Sequence, residues 1–481
     1  MAGRNIAMWE EYGDYLIPVM PFMDNVISRS EGSFLVDIEG NRVLDLASGQ
    51  FCTILGHNHP VFVERLTAEL KNNLHTGSQY VTESVLRAAK RVAEITPKGL
   101  SKVIFLSTGS EANEFAIRVA KAYTNRSGVV GFDRGYYGIS LALRSLSAIS
   151  EGRIDSSPKT PESHHLIAPN CDRCPIRLKY PECEMSCLDL SVRMLGDNAD
   201  NVAAVIVEPI ISAGGMIYPT SEYFAKLKAF TQDIGALLIV DEAQTGFGRC
   251  GQWFDCQNLD IEPDILVFSK TSGNGFPSAG VVISERINQR LIDSGFHHLS
   301  SHQNDPLTAC AVSAVIEVIS SEGLLERSRD NGAYFLARLR ELAARHRHLD
   351  RVRGRGLMLA FELLKDRESG EPYAEMLTPF VLACKARGVH VTYTYYEGAI
   401  RIIPAATISR AEIDFAIEIF DAVLTDIEHD RIKPGDYEQK NKLMRSVARS
   451  NPIRRTLSRL WVTTPQYWVQ RLKTKMRMTE G

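Results

Sequence analysis

Residues 237–271 read LLIVDEAQTGFGRCGQWFDCQNLDIEPDILVFSKT, two short apolar runs that each end in one ionisable side chain. Leu237-Leu238-Ile239-Val240 is apolar without alternation, as expected of a strand buried on both faces of a parallel sheet, and it stops at Asp241. Ile265-Leu266-Val267-Phe268 repeats the pattern and ends at Ser269 and Lys270. A carboxylate and an amine are therefore expected at the carboxyl ends of neighbouring strands, the edge at which open α/β sheets bind ligands.

Taken singly, Asp241 reads as a helix cap and Lys270 as a solvated loop residue. Together with Gln244, and outside any phosphate-loop pattern, they suit pyridoxal phosphate. Lys270 would hold its aldehyde as a Schiff base and shuttle a proton, Asp241 would keep the pyridine nitrogen protonated, and Gln244 would bond the ring hydroxyl.

Further motifs fit around this pair. Val103-Ile104-Phe105-Leu106 reads as a buried strand leading through Ser107-Thr108-Gly109-Ser110 into a helix, so Gly109 and Ser110 are candidates to cradle a phosphate on free backbone N–H groups. An ordinary helix cap is the competing reading. Ala203-Ala204-Val205-Ile206-Val207 is another buried strand and ends at Glu208, in the site or a salt-bridged strand end. Arg401 stands inside the apolar run Ile400 to Ile403 and wants a carboxylate, from a substrate or from within the chain. His57 and His59 lack a further ligand at metal spacing and read as a turn.

The joint pattern V-D-E-x-Q-T-G-x-G-R, then P-D-I-L, then S-K-T, resembles the class III aminotransferases of PLP fold type I over residues 33–424, and within them 2,2-dialkylglycine decarboxylase. The resemblance implies an α/β fold with a large domain, in which a mostly parallel seven-stranded sheet lies between helices, and a small α+β domain. It implies that Tyr136 stacks on the pyridine ring, that Glu208 lies near cofactor or substrate, and that Arg401 grips a substrate α-carboxylate. It places Gln50 at the mouth of the site, where the decarboxylase uses a glutamine to direct loss of CO2, and Ser301 on the phosphate of a partner subunit's cofactor, hence a homodimer with shared sites. Alkali-metal binding near Asp305, Ser301 and Ser78 belongs to the same resemblance. Departures are Tyr136 for the decarboxylase's tryptophan, Tyr137 for the family's usual histidine, and Ala213 for a serine. The implied activity moves an amino group from an amino acid or amine to a 2-oxo acid or carbonyl acceptor. Decarboxylation-dependent transamination and racemisation are the alternative reactions, and a catalytically silent scaffold is the alternative outside enzymes.

The chain has 481 residues, 44% of them apolar, and a formal charge of −3, ordinary for a soluble enzyme and without a general attraction to nucleic acid. No run is long enough to span a membrane, and the first residues lack the apolar core of a secretory signal. Nine cysteines, an odd number, favour a reducing compartment, and the cytoplasm is the expected location. Cys171, Cys174, Cys183 and Cys187 lie in an insertion near 161–190 and read as free thiols rather than a structural metal site, so no metal is expected. Domain limits are drawn at 1–60 for an N-terminal arm and part of the small domain, 61–310 for the cofactor domain, 311–432 for the rest of the small domain, and 433–481 for a basic extension. That extension reads as a solvated tail, with a membrane surface or an acidic partner as the alternative.

Overall fold

A computed structural model describes residues 3–17, 22–147, 162–394, 396 and 398–436. Nearly all of the basic extension lies outside the described residues.

The main sheet has seven strands, in the order Leu100–Leu106, Ala279–Ser284, Ile265–Ser269, Leu237–Asp241, Val202–Val207, Gly128–Phe132, Ser163–Leu166. All neighbours run parallel except Ala279–Ser284, which is antiparallel to both of the strands beside it. The two runs that open the sequence argument are adjacent, with Val240 opposite Leu266 and Asp241 opposite Val267. Their residues are buried throughout.

Continuous apolarity has a simple cause here, because each face of the sheet meets its own layer of side chains. Val205, Leu238, Val240, Leu266 and Phe268 belong to one core. Ala204, Ile206, Ile239 and Val267 belong to the other. Successive strand residues point to opposite faces, so both sets must be apolar. The helix Pro306–Ser321 adds Ala309, Val312 and Val315 to the first core, and Gly109–Thr124 adds Ala112, Ala116 and Val119 to the second.

A separate smaller unit is built on two further sheets. Antiparallel strands Leu349–Arg355, Met358–Asp366, Ala399–Ile402 and Thr392–Tyr393 form one, backed by the helices Leu324–Arg345 and Arg410–Glu428. The other joins the N-terminal strands Ile27–Glu31, Phe34–Asp37 and Arg42–Asp45 to the distant pair Val389–His390. Gly40 turns the hairpin at a φ of 88°, in the left-handed region that glycine enters freely. The arm before it has more order than its irregular sequence suggests. Arg4–Tyr12 is a helix, and Asn5 holds it by donating to Asp37 at 3.0 Å and accepting from the Val26 N–H at 2.7 Å.

The two units meet beside the segment that follows Asp241. Leu357 N–H donates to the Arg249 carbonyl at 3.0 Å, and Gly356 lies so close to Cys250 that a Cβ there would sit 2.6 Å from its Cα. Gly332, inside the helix Leu324–Arg345, lets that helix come down on Gly356. A Cβ on Gly332 would fall 2.1 Å from the Gly356 carbonyl oxygen. Helix propensity alone would make Gly332→Ala stabilising by up to about 1 kcal/mol. A clash with backbone is the larger effect, and we expect a net loss of roughly 1–3 kcal/mol, read as a lower urea midpoint at unchanged slope.

Candidate active site

Asp241 ends its strand with only 5% of its surface exposed. Asn113 Nδ2 donates to its Oδ2 at 2.7 Å and the Ala243 N–H to its Oδ1 at 2.9 Å. Burial pushes the carboxyl pKa up, while these two donors and the positive charge of Lys270 pull it down. Lys270 lies within that field at the end of the neighbouring strand, half-buried, with a left-handed φ of 47°. Such a backbone costs a non-glycine residue roughly 1–2 kcal/mol, and strain of this kind gathers at functional sites.

The helix that supplies Asn113 begins at Gly109, capped by Thr108, whose hydroxyl accepts from the Glu111 N–H at 3.3 Å. Gly109 stands over the end of the Lys270 strand, since a Cβ there would meet Ser269 at 3.4 Å. Ser110 Oγ accepts from the Ile139 N–H at 3.1 Å. A sixteen-residue helix thus directs the positive end of its dipole toward the edge that carries Lys270.

Glu208, 7% exposed, accepts from the Tyr136 N–H at 2.8 Å and the Ser212 N–H at 3.4 Å, and so fixes the turn that carries Tyr136. Burial, reinforced by the negative charge of Asp241, pushes its pKa up to about 8. Tyr137 is buried next to it. Its hydroxyl accepts from the Phe132 N–H at 2.9 Å and its carbonyl from Asn113 at 2.8 Å, so one amide ties this turn to Asp241.

Gln50 and Arg401 come from the smaller unit. Arg401, 7% exposed, stacks its guanidinium over the Phe51 ring at 4.5 Å and donates to the Tyr393 carbonyl at 3.4 Å. Gln50 is exposed on a left-handed turn in which Ser48, Gly49, Gln50 and Phe51 have φ of 39°, 55°, 61° and 71°. Three of the four are not glycine, so the turn costs on the order of several kcal/mol unless its surroundings impose it. Asp45 does part of that, accepting the N–H groups of Ala47 at 3.0 Å and Gly49 at 2.7 Å, with His57 against it at 3.0 Å. His59 meets Glu322 at 3.1 Å, so both histidines of the turn have structural partners.

Comparison with known proteins agrees with this geometry. The family model of class-III aminotransferases matches residues 19–424. This chain belongs to the class-III aminotransferases. It is 35% identical over 409 residues to an uncharacterised aminotransferase of Schizosaccharomyces pombe, covering 84% of this chain and 91% of that protein. It is 30% identical over 410 residues to a leucine/methionine racemase of Thermococcus litoralis, covering 85% and 92%. Among solved structures, an (S)-enantioselective omega-transaminase from Thermomicrobium roseum superposes with a TM-score of 0.81 at 28% identity, over 89% of this chain and 99% of that one.

The aminotransferase takes pyridoxal phosphate as its cofactor and moves amino groups from an amino acid or amine to a 2-oxo acid or carbonyl acceptor. The residues present fit that cofactor. Gln244 is 9% exposed and its Nε2 has no partner among the described residues, an orphaned buried donor that costs about 1–3 kcal/mol until an acceptor arrives. The ring hydroxyl is such an acceptor. Asp241 offers a buried anion for a cationic ring nitrogen, and the helix start at Gly109 offers N–H groups for a phosphate.

Ser301 stands apart from this group, exposed on the loop before Pro306. Next to it His302 contacts the Asp305 carboxylate at 2.5 Å, and His75 contacts the same carboxylate at 2.6 Å. Among the described residues these three alone bring metal-ligating atoms together, within 4.8 Å. Cys171, Cys174, Cys183 and Cys187 are free thiols, and burial pushes Cys187 up to about 11. No local pattern assigns a role to Asn113, Asp45 or Arg249. A lone asparagine four residues into an amphipathic helix was the only signal for the first.

The Glu208 carboxyl also gives the protein a pH signature. Its folded pKa of about 8 lies above the ordinary value of 4.5, so between those limits the unfolded chain releases a proton that the folded chain keeps. Its contribution to stability is therefore full below about 4.5, declines as the pH rises, and is lost above about 8. Glu208→Gln keeps an acceptor for Tyr136 and removes this slope. In the protein free of cofactor, the variant's Tm relative to wild type should rise by a few degrees between pH 5 and 9, and a constant difference would contradict the shift.

Proposed function

We propose that this aminotransferase acts on α-amino acids, with Lys270 as the group that moves the proton and with Gln50 and Arg401 holding the donor's carboxylate. The observation that carries the reading is the placement of Lys270 and Asp241 at the ends of adjacent parallel strands, within electrostatic reach of each other. Pyridoxal phosphate, when bound, supplies an electron sink for the pair left at the donor Cα. The chain supplies the rest. Lys270 Nζ would anchor the cofactor and, once the donor amine has displaced it, would take the Cα proton as a general base and later return one as an acid. Asp241 would hold the ring nitrogen in its charged form, Gln244 would bond the ring hydroxyl, and Gly109 and Ser110 would cradle the phosphate. Tyr136, fixed through Glu208, keeps the ring plane in place. Arg401 gives a carboxylate two parallel donors on a platform of Phe51.

A homodimer fits the surface. Leu74, Tyr80, Val81, Ile139, Leu141 and Leu299 are large apolar residues more than half exposed, several of them close in sequence to the cofactor-binding turns and to Ser301. In this reading Ser301 reaches the phosphate bound by the partner subunit. Nine free thiols support a cytoplasmic location.

A second reading, decarboxylation-dependent transamination of the 2,2-dialkylglycine decarboxylase kind, is favoured by one feature, an exposed Gln50 on a left-handed turn where the resemblance puts the decarboxylase's glutamine. Incubating the purified holoenzyme with single α-amino acids and a 2-oxo acid separates the readings. Conversion of the oxo acid to its amino acid without gas supports the first, and stoichiometric CO2 the second. Loss of optical rotation without transfer would make it a racemase. Lys270→Ala should lower turnover by at least about 1000-fold while the fold is retained, and a variant with near-normal turnover would refute the role given to Lys270.

A further inference from the structure

Arg249 is the bulkiest side chain in the described structure with no exposed surface. It has no carboxylate partner among the described residues. Its Nη1 donates to the Pro404 carbonyl, its Nη2 to Ser48 Oγ at 3.3 Å, and its Nε–H finds no acceptor. Burial pulls its pKa down to about 10, so it remains a cation at neutral pH in a place where charge is expensive.

Its partners explain why a cation stays there. Ser48 begins the left-handed turn that displays Gln50 and ends at Phe51, the ring beneath Arg401. The Ser48 hydroxyl also donates to the Ile403 carbonyl at 2.7 Å, just past the strand Ala399–Ile402 that carries Arg401, and Pro404 follows directly. Arg249 itself closes the segment that starts at Asp241 and contains Gln244. One planar fork thus spans two acceptors, on the Gln50 turn and behind the Arg401 strand, from the cofactor segment.

We propose that Arg249 is a positioning residue for the donor carboxylate, acting through Ser48 and Pro404 to hold Gln50, Phe51 and Arg401 in one arrangement. The inference rests on the assignment of Gln50 and Arg401 to that carboxylate.

The test compares wild-type holoenzyme with Arg249→Lys, Arg249→Met and Arg401→Gln. Lysine keeps the charge but offers one ammonium in place of two nitrogens held in a planar fork, and it serves if the methionine variant fails to fold. Two quantities are read beside cofactor content measured by absorbance. One is the ratio of kcat/KM for an α-amino acid to that for the amine with the same side chain and no carboxylate. The other is the inhibition constant of the corresponding carboxylate without an amino group.

For Arg249→Lys we expect the ratio to fall at least tenfold and the inhibition constant to rise by a similar factor, with cofactor content unchanged. An unchanged ratio and inhibition constant in folded Arg249→Lys, while Arg401→Gln loses both, overturns the proposal. So does a loss that follows cofactor content. Failure of the underlying readings looks different, as a wild type that transfers from neither donor, or as Arg401→Gln behaving like wild type.

Discussion

A carboxylate sealed inside a protein must be given donors or a counter-charge, and Asp241 is the point at which this chain meets that requirement. Asn113 and the Ala243 N–H meet part of it. A second carboxyl, Glu208, stands near enough to raise the cost, and the two cannot both ionise cheaply. The structure divides the burden. Glu208 is held protonated near neutral pH, where it still anchors the Tyr136 turn, and burial raises the Asp241 carboxyl as well, against the pull of Asn113, the Ala243 N–H and Lys270. Lys270 is the cation whose charge acts on Asp241, so part of the balance comes from the neighbouring strand end.

Some of the backbone strain lies at the same place. Lys270 and the turn from Ser48 to Phe51 occupy left-handed backbone that their side chains disfavour. Each is over-determined. Asp45 gathers two N–H groups and His57 under the turn, while Arg249 and the Ile403 carbonyl fix Ser48. The cost falls on stability of the fold, and the gain is that the Phe51 ring stays beneath Arg401.

Much of this was legible in the sequence, for definite reasons. Strands buried on both faces leave continuous apolar runs, so the strands ending at Asp241, Lys270 and Glu208 could be read to within a residue or two. What bears on long-range partners could not. The motif that ends in Arg249 does not reveal its partners, because its acceptors lie about 150 and 200 positions away. Asn113 looks like any polar residue on a helix until the helix is docked on the sheet. The helix Arg4–Tyr12 lacks a strong apolar stripe because it is held by Asn5 and Asp37 rather than by a core.

The antiparallel strand explains how the lysine is held still. A parallel continuation would need a crossover of a dozen or more residues and would leave Lys270 on a long connection. Here the chain returns at once, with Ala279 paired to Ser269, so the segment from Lys270 to Ser278 is a loop whose ends are direct neighbours. Ser269 Oγ donates to the Ser278 carbonyl at 2.8 Å, and the Ser272 and Ser278 hydroxyls meet at 2.7 Å. At its far end Asn274 accepts from the Leu55 N–H at 2.8 Å and donates to the Gly56 carbonyl at 3.1 Å, immediately beyond the Gln50 turn. The loop that carries the reactive amine is therefore bonded to the segment that presents Gln50. Asn274 thus fixes the loop that begins at Lys270 against the segment that follows Gln50, so their spacing is a property of the fold rather than of loop conformation.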